Sequence, residues 1–93
     1  MNPKKLAKLK RELEGLRRRG GIKSRDLERL ASRMGRERRS QQTGDPQWVN
    51  EELDWRPLGI PSHPGDMPRG TAGSVMNQLE EDLFRLEELY GDY

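Results

Sequence analysis

The stretch Ile60–Leu79, "IPSHPGDMPRGTAGSVMNQL", decides how the chain folds, because it passes from the end of a strand through a polar turn into a helix. Leu58 and Ile60 alternate between Pro57 and Pro61, which reads as a short strand. Prolines on both sides confine so short a strand to the edge of a sheet. From Ala72 onward the apolar residues Val75, Met76, Leu79, Leu83, Leu86 and Tyr90 recur at helical spacing, so they form one buried stripe. The opposite face carries Glu80, Glu81, Asp82, Glu87 and Glu88 and reads as solvated, or as a surface for a basic partner. Thr71 or Asp66 is expected to cap this helix. Between strand and helix lies His63, the only histidine in the chain.

Upstream, "SRDLERLASRMG" places Leu27, Leu30, Ala31 and Met34 on one helical face, with Ser24 as the expected cap, Asp26 in the first turn and Gly35 as the stop. Before it, "NPKKLAKLKRELEGLRRRGG" aligns Leu6, Leu9, Leu13 and Leu16. Asn2 can cap that helix with Pro3 at its first position, Arg17–Arg19 suit its carbonyl end, and Gly20 and Gly21 end it. The stripe can dock on the rest of the chain, pair with a second copy, or lie on nucleic acid. Trp48 and Val49 centre another short strand, after the turn Thr43-Gly44-Asp45-Pro46. The run "ERRSQQ" has poor strand propensity. Helix, helix, small sheet, helix is an α+β order.

With 93 residues the chain holds one small domain, and a domain of that size has a thin stability margin. Leu, Ile, Val and Phe make up 17 residues, under the roughly 20% at which disorder becomes a concern, although a net charge of +2 is too low to complete that warning. The absence of cysteine excludes disulfides and thiolate metal sites. No apolar run approaches the roughly 18 residues of a membrane span, and the opening "MNPKKLAKLK" lacks the apolar core of a signal peptide, so a cytoplasmic protein is expected. The small net charge hides a split. Residues 1–40 hold 15 Lys/Arg and 5 Asp/Glu, a balance of +10, whereas residues 41–93 hold 3 and 11, a balance of −8. A basic half beside an acidic half suits nucleic-acid binding through one face, self-association, or packing of the two halves on each other.

The segment Ile60–Leu79 resembles the closing part of the HicA-like family of small mRNA interferase toxins: Pro61 and His63 lead through Gly70-Thr71 to Val75 and Gln78-Leu79. "KSRDLERLASRMG" is similar to that family's opening helix. The resemblance spans roughly residues 22–80 and implies a three-stranded antiparallel sheet with helices on one face. That is an α-β-β-β-α arrangement like a double-stranded-RNA-binding domain, with "ERRSQQ" as its first strand. Residues 1–21 then form a basic helical extension, and 22–93 the HicA-like domain with a long acidic helix. The family assigns catalysis to the histidine of a Gly-Ser-His motif on its second strand. Here Gly44-Asp45-Pro46 stands in that place, and proline transfers no proton.

Metal-independent RNA cleavage needs a base for the 2′-hydroxyl and an acid for the leaving oxygen, and an imidazole suits either role. His63 is the candidate catalytic residue, with Asp45 or Arg69 as possible assistants. The plainer role for His63 is to fix the turn through a backbone hydrogen bond. The cations expected on an RNA backbone are Lys23, Arg25, Arg36, Arg38, Arg39 and Arg69, with Gly70 and Thr71 offering free N–H groups where the last helix starts. Trp48 and Trp55 can stack bases or fill the core. No cofactor or metal is expected, since no His or Cys joins the acidic face. The resemblance implies an RNA-binding protein of toxin–antitoxin type whose partners are RNA and a HicB-like antitoxin, the missing motif histidine implies interferase activity weakened or lost, and the leucine stripe of the first helix offers a second copy as a further partner. The alternative is a non-catalytic protein-interaction module on the same fold.

Overall fold

The computed structural model describes residues 2–39 and 46–91. The order is α1 (Pro3–Arg18), α2 (Ser24–Arg33), β1 (Glu37–Arg39), β2 (Gln47–Val49), β3 (Leu58–Gly59) and α3 (Arg69–Tyr90). The strands form one antiparallel sheet in the order β1-β2-β3, with Arg38 opposite Trp48 and Trp48 opposite Leu58. β3 therefore lies at an edge, as its flanking prolines require. The Ile60 N–H continues the pairing to the Pro46 carbonyl at 3.2 Å. Gly44 and Asp45 lie outside the described residues, as do Ser40–Gln42 of the expected first strand. No helix among the described residues is long and apolar enough to cross a membrane.

Local chemistry sets most of the boundaries. The Asn2 side chain accepts from the Lys5 N–H at 2.9 Å, and Pro3 opens α1 where a missing N–H costs nothing. The end of α2 is a Schellman turn: the Gly35 N–H reaches the Ser32 carbonyl, and the Arg36 N–H reaches that of Ala31. Gly35 sits at φ 103°, a region that L-residues rarely adopt, and a Cβ there would meet Asn50 Nδ2 at 3.2 Å. Gly35→Ala should therefore lower unfolding stability by about 1–2 kcal/mol, measured by urea titration with an unchanged slope.

One core unites all three helices and the sheet. Leu6, Leu9, Leu13 and Leu16 of α1 join Leu27, Leu30 and Met34, Trp48 and Leu58, and Val75, Leu79, Leu83 and Leu86. The α1 leucines pack on α3 and α2. Their stripe is consumed inside the chain, so it offers no surface for a second copy. Both tryptophans are also core residues, each 8% exposed, which removes them as base-stacking platforms.

At the centre of this core lies a charge. Arg36 is 1% exposed and Asp82 is 0% exposed. Arg36 Nε and Nη2 donate to the two Asp82 oxygens at 2.6 and 3.0 Å, and Nη1 donates to the carbonyls of Trp48 and Arg56 at 2.8 Å each. Gln78 Nε2 donates to the same carboxylate at 3.3 Å, and the guanidinium lies 5.2 Å from the centre of the Trp55 ring. Two sequence expectations are corrected here. Arg36 is no phosphate contact, because its donors are turned inward, and Asp82 is not part of a solvated face.

Candidate nucleic-acid interface

The turn between β3 and α3 is stitched onto the link between α1 and α2. Ser24 Oγ donates to the Pro61 carbonyl at 2.7 Å and accepts from the His63 N–H at 2.9 Å. Lys23 and Asp66 form an antiparallel bridge, and the Met67 N–H reaches the Ile22 carbonyl at 2.8 Å. Ser24 is thus a clamp and not the expected helix cap. That work falls to Asp26, whose Oδ2 accepts from the Lys23 N–H at 3.0 Å. Neither Thr71 nor Asp66 caps α3, which starts directly after Pro68. Asp66 is held instead by the bridge to Lys23.

This stitching brings distant parts of the sequence to one corner. Lys23, Arg25, His63, Arg69 and Gly70 are exposed there, and Thr71 is half-buried. Among the described residues, no ion pair engages Lys23, Arg25 or Arg69. The structure adds two cations that the sequence reading left at the carbonyl end of α1. Arg17 Nη2 donates to Asn77 Oδ1 and Glu80 Oε2 at 2.9 and 3.0 Å, and Arg19 Nη2 pairs with Asp26 at 3.2 Å. Arg17, Arg19 and Arg69 together line one cavity between the end of α1 and the start of α3. The triple arginine run was the available signal, but nothing in the sequence places it beside residue 69.

Neither a family model, nor a curated protein, nor a solved structure matches this chain. The function therefore rests on the chemistry of the corner itself.

Arg38 and Arg39 lie elsewhere, on the exposed strand β1, where Arg39 pairs with Glu51. They border a different cavity, whose rim also carries Glu37, Glu51 and Glu52. Cations and carboxylates alternate there, so the field on a phosphate is weak compared with that at the corner.

His63 faces solvent, and its Nδ1 accepts from the Gly65 N–H at 3.3 Å. An imidazole accepting at Nδ1 carries its proton on Nε2 when neutral, so it presents a donor outward. Among the described residues no carboxylate or second base is hydrogen-bonded to it. The plainer sequence reading of His63, a ring that fixes its own turn through a backbone group, matches the bond from the Gly65 N–H to Nδ1.

Proposed function

We propose that the protein binds RNA through this corner, on a HicA-like α-β-β-β-α arrangement to which α1 adds further cations. The observation that carries the reading is the convergence of Arg17, Arg19 and Arg69 on one cavity, with Lys23 and Arg25 exposed beside it. Guanidinium and ammonium groups attract phosphate whatever the base sequence, and binding them releases counterions from the nucleic acid. The exposed ring of His63 adds a hydrogen-bond donor to the same surface. An antitoxin of the HicB kind belongs to the same proposal, as the protein that would cover this corner.

Cleavage is not part of the proposal. General acid–base catalysis of RNA cleavage needs an acid and a base at the reacting oxygens, but Pro46 stands where the resemblance places the catalytic histidine, and His63 is the one imidazole in the chain. Incubation of the protein with single-stranded RNA should give a complex whose affinity falls steeply with salt while the RNA stays intact, with no difference in decay between the wild type and His63→Ala. Salt-independent binding contradicts the interface. RNA decay that His63→Ala abolishes contradicts the non-catalytic part.

A further inference from the structure

The leucine stripe of α1 is consumed inside the chain, but the opposite face of the same helix is not. Lys4, Lys8, Arg11 and Arg18 are all exposed. At 3.6 residues per turn they fall within one arc of about 80°, on the far side of the helix from the buried Leu6, Leu9, Leu13 and Leu16. Gly15 falls in the same arc, and a Cβ there would meet nothing within 4 Å, so the row lies open between Arg11 and Arg18. Among the described residues no ion pair engages any of the four cations. Of the two carboxylates on α1, Glu12 is held by Arg33 of α2, and Glu14 falls outside the arc. The row runs for about 21 Å at 1.5 Å per residue. Its Arg18 end adjoins Arg17 and Arg19, which line the cavity at the corner.

Four cations in single file over that length exceed what one small anion can touch. A lipid surface would find nothing to insert beside them, because the leucines of the same helix face inward. A nucleic-acid strand carries a phosphate per about 3.4 Å of axis when helical and fewer when extended, so roughly three to six phosphates pass along the row. We propose that an RNA strand seated at the corner continues along the outer face of α1, with its phosphates on Arg18, Arg11, Lys8 and Lys4 in turn. The proposal rests on the RNA-binding reading. Exposed charges are screened within about 10 Å in moderate salt, so the corner anchors the strand and α1 extends the hold on it. A short strand of about five nucleotides makes the corner contacts alone, and a strand of about twelve reaches Lys4.

The test is fluorescence anisotropy with 5′-phosphorylated oligouridylates of these two lengths over a salt series. For the wild type the slope of log affinity against log salt should be steeper for the longer strand by about 2.8, four contacts at about 0.7 each, and equal slopes would overturn the proposal. The fourfold variant Lys4→Gln, Lys8→Gln, Arg11→Gln, Arg18→Gln should lose at least about tenfold in affinity for the longer strand at low salt, and no more than about threefold for the shorter. Glutamine is close to lysine and arginine as a helix former and the leucines are untouched, so α1 should persist, which circular dichroism checks. The charge-keeping variant Lys4→Arg, Lys8→Arg, Arg11→Lys, Arg18→Lys should retain the steeper slope, and its loss there would overturn a role for charge. Equal losses for both strands, or none, in the fourfold variant would overturn the path along α1. Steeply salt-dependent binding of the shorter strand would then leave the corner standing, whereas failure of the wild type to bind either strand would remove both readings. Phosphatidylserine vesicles that bind the wild type and not the fourfold variant, with RNA affinity unchanged between them, would overturn RNA as the ligand of this face in favour of a lipid surface.

Discussion

Asp82→Ala should lower the free energy of unfolding by about 3–5 kcal/mol, the cost of leaving a buried charge without its partner. The Arg36 guanidinium has no water to turn to, because both side chains of the pair are wholly buried. The loss is large against the roughly 5–14 kcal/mol expected of a chain this long. Arg36 joins the start of β1 to the Trp48 and Arg56 carbonyls and to α3, so its release loosens the sheet from the helix behind it. Urea unfolding followed by circular dichroism measures the effect. A double variant, Arg36→Met with Asp82→Leu, removes both charges and should be more stable than either single replacement. An Asp82→Ala protein within about 1 kcal/mol of the wild type would mean that the pair does not hold the core as described.

Replacing Arg17, Arg19, Lys23, Arg25 and Arg69 together by glutamine should nearly abolish the salt dependence of RNA binding. On single strands each phosphate contact contributes about 0.7 to the slope of log affinity against log salt, so five contacts give about 3.5. Between 50 and 200 mM salt that slope corresponds to a loss of roughly a hundredfold for the wild type and little for the variant. The fold should survive, because the ion pairs lost at Glu80 and Asp26 are partly exposed and worth about 0–1 kcal/mol each. Filter binding over a salt series, with circular dichroism as the control for folding, gives the answer. Arg38→Gln with Arg39→Gln, on the edge strand, should change the slope much less. The opposite ranking would move the interface to β1.

Periodicity made the helices legible, because each carries one apolar stripe, and local rules marked two of their ends, Asn2 with Pro3 at the start of α1 and Gly35 at the close of α2. Leu58 and Ile60 between prolines correctly announced an edge strand. What the sequence hid was long-range. Arg36 sits in a run of arginines that reads as solvent-facing, and only the Schellman turn at Gly35, together with Asp82 one side of α3 away from the acidic face, turns it inward. Ser24 looks like a cap until the turn at Pro61–His63 folds onto it, after which its hydroxyl serves two backbone groups of another segment. Part of the candidate site, Lys23, Arg25 and Arg69 beside His63, was therefore named from sequence, while Arg17 and Arg19 needed the packing of α1 on α3 to enter it. Arg36 left the site for the same kind of reason: tertiary burial overrides local composition.

The most direct test of the interface is a map of backbone amide shifts when single-stranded RNA is added to the isotope-labelled protein at low salt. Shifts concentrated at residues 17–25 and 63–72, fading together as salt rises, are the predicted result. Shifts confined to β1 or to the end of α3, or no shifts at all, would contradict the assignment of RNA binding to this corner.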